Sequence, residues 1–214
     1  MKTILFDFDG TLINTWPGIE ATLRASLEAL DIPIREGVIT RSLVGMPLLR
    51  VFEEILEGDP SGAELVTRKY RELFPVVGMS GARPFEGVLG MLEELKRKNR
   101  QLFLVTARNE TITKQMMAAH GLSGFFTWVR GEQEGENPDG KAHMIAEVLQ
   151  KFSLSRPDCV MVGDRSYDID AALANSIEAI GVTYGYGTEG ELKDAGSGQL
   201  AGSIEELKGM LLSS

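Results

Sequence analysis

The sequence predicts an α/β protein in which a parallel sheet is covered by helices and a small helical domain follows the first strand. Short apolar runs alternate with segments of helical periodicity over most of the chain. This alternation is typical of parallel sheets, because parallel strands need a crossover that is usually a helix. The segment 15–81 differs, since it shows helical spacing without a convincing strand. We therefore predict a Rossmann-like core over residues 1–14 and 82–214, and a helical cap over 15–81.

The strands of the core are predicted from its apolar runs, which are Ile4–Phe6, Leu102–Val105, Cys159–Val162 and Ala179–Val182, with a weaker fifth at Phe125–Val129. Helical spacing between them predicts several helices, including one that uses Phe85, Val88, Leu89, Leu92 and Leu95. Asn109 is the expected N-cap of another helix, which should end at Gly121. Ser203 and Glu206 form an expected capping box before the last helix.

The predicted cap contains three apolar stripes at helical spacing, which are Ile19, Leu23, Leu27 and Leu30; then Leu48, Phe52, Ile55 and Leu56; then Leu65, Tyr70 and Leu73. Breaks are expected at Gly58-Asp59-Pro60 and at 77–81, where glycine and proline interrupt the pattern. The alternative is that these helices belong to the core of the main domain.

The composition favours an ordinary globular enzyme in a reducing compartment. The chain has 214 residues, a net charge of −9 and a single cysteine. That cysteine, Cys159, lies in an apolar run and has no partner for an internal disulfide, so we expect a cytoplasmic location. No basic run indicates nucleic-acid binding, no stretch approaches the ~20 apolar residues of a membrane helix, and the start does not resemble a signal peptide.

Side chains suited to metal binding and phosphoryl chemistry follow three of the predicted strands. Asp7 and Asp9 come after the first strand, Thr106 after the second, and Asp164 after the strand at 159–162. The carboxyl ends of parallel strands border one crevice, so these residues are expected to converge. Asp7 and Asp164 can supply the oxygen ligands that Mg²⁺ prefers. A carboxylate in this crevice can also attack phosphorus as a nucleophile, provided that the negative charge of the phosphoryl group is neutralised.

Four motifs resemble those of the haloacid dehalogenase superfamily, and they extend over nearly the whole chain: Asp7-Phe8-Asp9-Gly10-Thr11-Leu12, Thr106, Lys141, and Gly163-Asp164-Arg165-Ser166-Tyr167-Asp168. Lys141 is assigned from Gly140-Lys141-Ala142 at a helix start, because Asn137 rather than lysine precedes Pro138. Within the superfamily, the sequence is most similar to phosphoglycolate phosphatase-like phosphatases, which carry a small helical cap. The segment 181–187, followed by Glu191-Leu192, is also similar to that group.

The resemblance implies a role for each catalytic residue. Asp7 would attack phosphorus and form an aspartyl-phosphate. Asp9 would protonate the leaving alcohol and then activate water. Thr106 would donate a hydrogen bond to a phosphoryl oxygen, and Lys141 would neutralise charge on the nucleophile and the phosphate. A solvated lysine in the first turn of a helix is the alternative for Lys141.

The resemblance also implies a magnesium site and a substrate site. The expected metal residues are Asp7, Asp9, Asp164 and Asp168, with Asp9 contributing its backbone carbonyl. The expected substrate-binding residues are Thr106, Ala107, Arg108 and Lys141. Arg108 could either reach the substrate or close a salt bridge. Arg41 and Arg50, in the cap, are further candidates for contact with a substrate carboxylate.

The predicted function is hydrolysis of a small phosphomonoester, with phosphoglycolate as the first candidate. Alternatives are a 5'-nucleotidase, a sugar-phosphate phosphatase, or a phosphomutase that uses the same residues. A non-catalytic protein on this fold is disfavoured because every reactive position is filled. The expected partner is a small phosphorylated metabolite, without nucleic acid or membrane, and the chain is expected to act as a monomer or homodimer.

Overall fold

A parallel six-stranded sheet forms the centre of the computed structural model, which describes residues 2–133 and 140–213. The strands are β1 (Thr3–Phe6), β2 (Ile13–Asn14), β3 (Arg83–Pro84), β4 (Gln101–Asn109), β5 (Trp128–Glu132), β6 (Cys159–Gly163), β7 (Glu178–Val182) and β8 (Gln199–Ala201). The sheet order is β5-β4-β1-β6-β7-β8, and β2 pairs with β3 alone. Each neighbouring pair in the large sheet is parallel. The predicted α/β fold with a parallel sheet is confirmed.

Helices connect the strands, as the sequence pattern predicts. They are α1 (Trp16–Glu28), α2 (Leu48–Ile55), α3 (Pro60–Leu73), α4 (Gly78–Gly81), α5 (Val88–Arg97), α6 (Glu110–Ala119), α7 (Gly140–Lys151), α8 (Ser166–Ala174), α9 (Glu189–Asp194) and α10 (Ile204–Ser213), with 3-10 turns at Arg41–Leu43 and Arg156–Asp158. Among the described residues, no helix combines the length and the apolarity that a membrane crossing requires.

The central strands are buried on both faces. Leu5, Phe103 and Met161 lie in one buried cluster with side chains of α7 and α8, and Cys159 belongs to the same cluster. Successive residues of a strand point to opposite faces, so Ile4 and Phe6 face the other side, where they are also fully buried. This two-sided burial explains why these strands read as continuous apolar runs rather than as alternating ones.

Helix ends follow the local signals in the sequence, with two corrections. The Asn109 side chain accepts from the Ile112 N–H at 3.2 Å, so the predicted N-cap is confirmed. The helix predicted from Phe85 begins only at Val88, because Gly87 has a left-handed φ of 88° that no helix continues through. In the predicted capping box, Ser203 caps the Glu206 N–H, but the Glu206 carboxylate accepts from Gly202 at 2.7 Å instead of from Ser203.

Four strands differ from the sequence prediction: β5 begins later than expected, and the short strands β2, β3 and β8 were not predicted. Phe125 was expected to begin a strand, but its N–H donates to the Leu122 carbonyl in a turn, and β5 begins at Trp128 beside Phe103. The apolar run therefore overlaps the strand only at Trp128 and Val129, and the strand continues beyond it to Glu132. The edge strand β8 was not predicted, because its three residues include polar Gln199 and offer no apolar run.

Contacts between Cα atoms divide the chain into two compact units, Met1–Ile13 with Pro84–Ser214, and Asn14–Arg83. Within the second unit, α1 packs against α3 and α4, and α2 packs against α3.

Asp59 begins α3 by accepting from the Ser61 and Gly62 N–H groups. Leu65 is exposed, so the predicted third stripe is wrong there; the buried face carries Ala63, Val66, Thr67 and Tyr70. The segment 77–81, predicted as a break, contains α4. The role of this unit as a cap stays a prediction.

Replacement of Leu5 by alanine should destabilise the protein by about 2–5 kcal/mol, because it leaves a cavity in the fully buried centre of the sheet. The matched control is Leu89→Ala, which truncates a leucine that is 41% exposed and should change stability by less than about 0.5 kcal/mol. Urea unfolding followed by circular dichroism measures both. Equal losses for the two variants would contradict the assignment of Leu5 to the core.

Candidate active site

The first and fourth predicted motifs meet at the carboxyl edge of the sheet. Asp7 directly follows β1 and Asp164 directly follows β6, and the pairing of Phe6 with Val162 places these two ends side by side. The Asp7 N–H donates to the Val162 carbonyl at 2.9 Å, which fixes the backbone of the nucleophile candidate. The chain leaves β1 towards β4 on one side and returns to β6 on the other. This is the strand-order reversal at which open α/β sheets bind ligands.

Thr106 lies within β4 and not past its end, which corrects the expected position. The pairing of β4 with β5 breaks after Val105 and resumes at Asn109, so the strand continues beyond an irregularity. Leu104 pairs with Phe6, and therefore Thr106 lies two residues along β4 from the last partner of β1. Its side chain is 1% exposed, and its hydroxyl oxygen accepts from the Arg108 N–H at 3.2 Å.

Three buried aspartates form the centre of the site, and we call Asp7, Asp164 and Asp168 the carboxylate triad. One oxygen from each lies within 4.8 Å of the others. Lys141, in the first turn of α7, connects two of them: its Nζ lies 2.9 Å from Asp7 Oδ1 and donates to Asp168 Oδ1. The Lys141 side chain is 8% exposed, so a solvated first-turn lysine is excluded.

Hydrogen bonds fix two members of the carboxylate triad on both oxygens. Asp164 accepts from the Thr11 hydroxyl at 3.1 Å and from the Tyr186 N–H at 2.7 Å. Asp168 accepts from the Arg165 N–H at 3.1 Å, as the third residue of a capping box on α8, and from Lys141 on its other oxygen. Asp7 differs, because its buried Oδ1 forms no hydrogen bond of acceptable distance and angle with any described residue.

Thr11 and the loop 184–187 contribute to the site although no role was predicted for them. The Tyr184 hydroxyl donates to the Thr11 carbonyl at 3.0 Å, so the loop holds both Thr11 and Asp164. A Cβ at Gly185 would lie 2.4 Å from Asp164 Cβ, which requires glycine for this close approach. The sequence signal was the Tyr-Gly-Tyr-Gly repeat at 184–187, which was noted only as part of the family resemblance.

Burial dominates the ionisation of the carboxylate triad. Burial raises the pKa of Asp7 from 3.8 to about 7; Lys141 opposes the rise and Asp168 adds to it. Burial likewise raises the pKa of Asp164 well above its ordinary value, with Asp7 and Asp168 contributing. For Lys141, burial disfavours the charge, but Asp168 and Asp7 outweigh it and raise its pKa. The ammonium is therefore charged throughout the physiological range.

The donor set fits a hard divalent cation. When all three carboxylates are ionised, the single ammonium leaves two negative charges in a buried site, and this uncompensated charge is consistent with the raised pKa values of Asp7 and Asp164. A divalent cation would balance that charge, and carboxylate oxygens are ligands that Mg²⁺ prefers. Asp7 Oδ1 forms an ion pair with Lys141 at 2.9 Å but no hydrogen bond that meets the distance and angle criteria with a described residue, so it is suited to complete such a site. Asp168 differs from Asp164 in that one of its oxygens accepts from the Lys141 ammonium, whose positive charge opposes direct contact with a cation, so Asp168 is suited to orient the site rather than to ligate directly.

Asp9 forms a separate pair with Arg108. Nε and Nη2 of Arg108 each lie 2.8 Å from a different oxygen of Asp9, so the pair is bidentate. The two side chains are 15% and 13% exposed. Of the two alternatives that the sequence left for Arg108, the structure shows the salt bridge. Ala107, between Arg108 and Thr106, is exposed at the same edge of the sheet.

In the second compact unit, Arg41 and Arg50 are both exposed, and Arg50 pairs with Glu53 at 2.7 Å. Their predicted contact with substrate stays a prediction, as do the catalytic roles assigned to the residues of the core. The structure brings together Asp7, Lys141, Asp164 and Asp168 directly.

Comparison with known proteins identifies the family of this chain. Residues 4–182 match the family model for haloacid dehalogenase-like hydrolases. The chain therefore belongs to the haloacid dehalogenase-like hydrolase family, and the predicted resemblance is confirmed. The predicted enzyme class, a phosphoric monoester hydrolase of this superfamily, is confirmed as well.

Several relatives are similar over most of the chain. A 5'-nucleotidase from Pseudomonas aeruginosa is 30% identical over 190 residues, which cover 89% of this chain and 86% of that protein. Phosphoglycolate phosphatase from Escherichia coli is 28% identical over 208 residues, covering 87% and 82%. The tyrosine-protein kinase PtkA from Mycobacterium tuberculosis is 27% identical over 186 residues, covering 87% of this chain and 63% of that protein. A predicted phosphatase from Clostridium acetobutylicum has a crystal structure with a TM-score of 0.90 and 31% identity, covering 99% and 98%.

The raised pKa of Asp7 predicts a pH-dependent stability in metal-free protein. Between about pH 4 and pH 7 the folded state retains a proton that the unfolded state has lost. The contribution of Asp7 to the free energy of unfolding should therefore be complete below pH 4 and be lost as the pH rises through 7, by at most about 1.4 kcal/mol per pH unit.

Urea unfolding in excess EDTA, at a series of pH values, tests this against Asp7→Asn, whose amide stays neutral. The stability of wild type relative to that variant should fall across this window and level off above it. A difference that is constant with pH, or that grows in favour of wild type, would contradict the assignment.

Proposed function

We propose that the chain is a magnesium-dependent phosphatase that hydrolyses a small phosphomonoester through an aspartyl-phosphate. The main support for the proposal is the environment of Asp7 Oδ1. This oxygen of the carboxylate triad is buried and forms no hydrogen bond of acceptable distance and angle with a described residue. It lies 2.9 Å from the Lys141 ammonium, which offsets its charge. A desolvated carboxylate oxygen beside a cation is suited to attack an anionic phosphoryl group.

The reaction would proceed in two displacements at phosphorus. In the first, an Asp7 oxygen bonds to phosphorus, the bond from phosphorus to the ester oxygen breaks, and Asp9 gives its proton to the leaving oxygen. In the second, Asp9 takes a proton from water as the water oxygen bonds to phosphorus. The bond between phosphorus and Asp7 then breaks, which releases inorganic phosphate and restores the carboxylate.

Electrostatic stabilisation would come from the groups around Asp7. Lys141 remains charged between Asp7 and Asp168, and Thr106 keeps a hydroxyl proton that it can donate, since its oxygen accepts from the Arg108 N–H. Asp7 and Asp164 would hold Mg²⁺, with Asp168 orienting the site and the Asp9 carbonyl as a further expected ligand. When bound, Mg²⁺ supplies positive charge that offsets the phosphoryl oxygens and the carboxylates.

Phosphoglycolate remains the first candidate substrate, and a nucleoside 5'-monophosphate is the second. Relatives named for each activity have 28% and 30% identity to this chain, so the overall similarity favours neither. The segment 15–81 is proposed to act as the cap that selects between them. A small phosphorylated metabolite is the proposed partner, with the enzyme acting in the cytoplasm as a monomer or homodimer.

A phosphate-release screen over phosphoglycolate, nucleoside monophosphates and sugar phosphates, with Mg²⁺ present, identifies the substrate class. The same screen distinguishes the phosphomutase alternative, which uses the same residues. Isomerised sugar phosphate without stoichiometric release of phosphate would support the mutase and contradict a hydrolase.

Asp7→Asn should lower turnover by at least about 10³-fold, because the amide cannot form the aspartyl-phosphate. Phosphate release from the best substrate measures the effect, and circular dichroism reports whether the fold is retained. The control is Asp194→Asn, which makes the same chemical change at an exposed position of α9 and should keep wild-type turnover. Wild-type turnover in Asp7→Asn would rule out this nucleophile.

Excess EDTA should abolish turnover, and Mg²⁺ should restore it, because Mg²⁺ is expected to balance the charge of the carboxylate triad. Asp164→Asn should raise the Mg²⁺ concentration that gives half-maximal turnover by roughly tenfold or more, since one anionic ligand is lost. A titration of turnover against Mg²⁺ measures both effects. Full activity in EDTA, or an unchanged titration midpoint in Asp164→Asn, would exclude the metal role.

A further inference from the structure

Asn175 links the two helices that carry Lys141 and Asp168. It is the C-cap residue of α8, and its side-chain amide donates to the Ala142 carbonyl in the first turn of α7 and to the Ala171 carbonyl in α8, both at 2.9 Å. Both partners are carbonyl oxygens, so only the NH₂ group of the amide can face them, and it has one hydrogen for each. Asn175 is 8% exposed. Its contact with Ala142 joins residues that are 33 positions apart, so the contact is tertiary.

The spacing along α8 explains why this link bears on Lys141. Asp168 and Asn175 are seven residues apart, which is close to two helical turns. They therefore lie on one face of α8, about 10 Å apart along its axis. The helices α7 and α8 pack against each other. The first turn of α7 consequently contacts α8 at two points, through the backbone of Ala142 and through the end of the Lys141 side chain.

The position of the Lys141 ammonium depends on where the first turn of α7 is held. Its Nζ lies 2.9 Å from Asp7 Oδ1 and also donates to Asp168. A lysine side chain is a flexible four-carbon stem, so holding its end between two carboxylates costs conformational entropy. The helix dipole also opposes a cation in the first turn. A fixed backbone at the start of α7 reduces the freedom that these contacts have to overcome.

Asn175 is itself held to the central sheet. The Nε of Arg156 donates to the Asn175 backbone carbonyl at 3.0 Å. Arg156 begins the 3-10 turn that leads directly into β6, and Asp164 follows the end of that strand. The Asn175 N–H donates to the Ala172 carbonyl at 3.0 Å, within the last turn of α8. Asn175 therefore relates the first turn of α7 to the strand that positions Asp164.

We infer that Asn175 is a positioning residue: it holds the first turn of α7 and thereby keeps the Lys141 ammonium between Asp7 and Asp168. The inference rests on the proposed phosphatase function, because Asn175 acts through the role proposed for Lys141. Loss of the Asn175 amide would leave Lys141 charged but less firmly placed. Its contact with the phosphoryl group would then weaken.

Two substitutions separate the contact of Asn175 with α7 from its contact within α8. Asn175→Ala removes both. Asn175→Ser keeps a hydroxyl that can donate to the carbonyl four residues earlier, which is that of Ala171, but this side chain is one bond shorter and loses the contact with Ala142. Leu207→Ala is the control, since it truncates a fully buried side chain of α10, which packs against α5 and β8.

Two quantities are measured for each variant with Mg²⁺ present: kcat on the best substrate, and the Kd of inorganic phosphate by isothermal titration calorimetry. The stoichiometry of the titration gives the folded fraction. Values of kcat are divided by that fraction, and Kd does not depend on it. A loss of folded protein is thereby separated from a change in the site.

Both Asn175 variants should lower kcat by roughly tenfold to a hundredfold, the range expected when a catalytic group is slightly misplaced. They should raise the Kd of phosphate by roughly threefold or more. Leu207→Ala should keep the wild-type values. In a Lys141→Gln background, Asn175→Ala should change either quantity by less than about twofold, because the group through which it acts is gone. If Lys141→Gln does not fold, the comparison of Asn175→Ser with wild type decides alone.

The inference is overturned if either Asn175 variant keeps the wild-type values, or if Asn175→Ala has the same effect with and without Lys141. These results, together with phosphate release that depends on Asp7, would leave the phosphatase function standing. Unchanged turnover in Lys141→Gln would contradict the role proposed for Lys141 and this inference with it. Phosphate release that Asp7→Asn does not reduce would instead contradict the phosphatase mechanism itself.

Discussion

The contact of Lys141 with Asp7 and Asp168 is the electrostatic constraint on which the site depends. Burial of three carboxylates within 4.8 Å of one another would strongly oppose folding if nothing compensated them. Lys141 joins the end of β1 to the start of α8, so one ammonium links three segments that are distant in the sequence. The compensation is partial, because two negative charges remain when all three carboxylates are ionised, and a divalent cation would balance them.

The sheet supplies the precision that this arrangement requires. Parallel register places Asp7 beside the end of β6, and Asp164 is then held by the Thr11 hydroxyl and the Tyr186 N–H. Close approach of the loop at Gly185 leaves no room for a side chain, which explains why glycine stands there. Rigid positioning of acceptors and charges before substrate arrives is the main source of electrostatic catalysis.

The charges of the site fall into two groups with different consequences. The carboxylate triad and Lys141 form a buried set whose parts belong to the family motifs, and this set supports the chemistry that the family shares. The pair of Asp9 and Arg108 lies at the edge of that set and is more exposed. This pair joins the end of β1 to β4 through the side chain proposed as the general acid and base.

The sequence by itself determined the alternation of the long strands and helices, the N-cap at Asn109, and the candidate residues, because each depends on local pattern or on a short motif. It missed the short strands β2, β3 and β8, which offer no continuous apolar run, and it placed the start of β5 too early because apolar Phe125 and Phe126 precede that strand. Tertiary structure alone decided that Thr11 and Tyr186 hold Asp164 and that Arg108 pairs with Asp9. Two of those contacts, Asp9 with Arg108 and Thr11 with Asp164, join residues that are separated by 99 and 153 positions in the sequence. Only the register of the folded sheet brings such residues together.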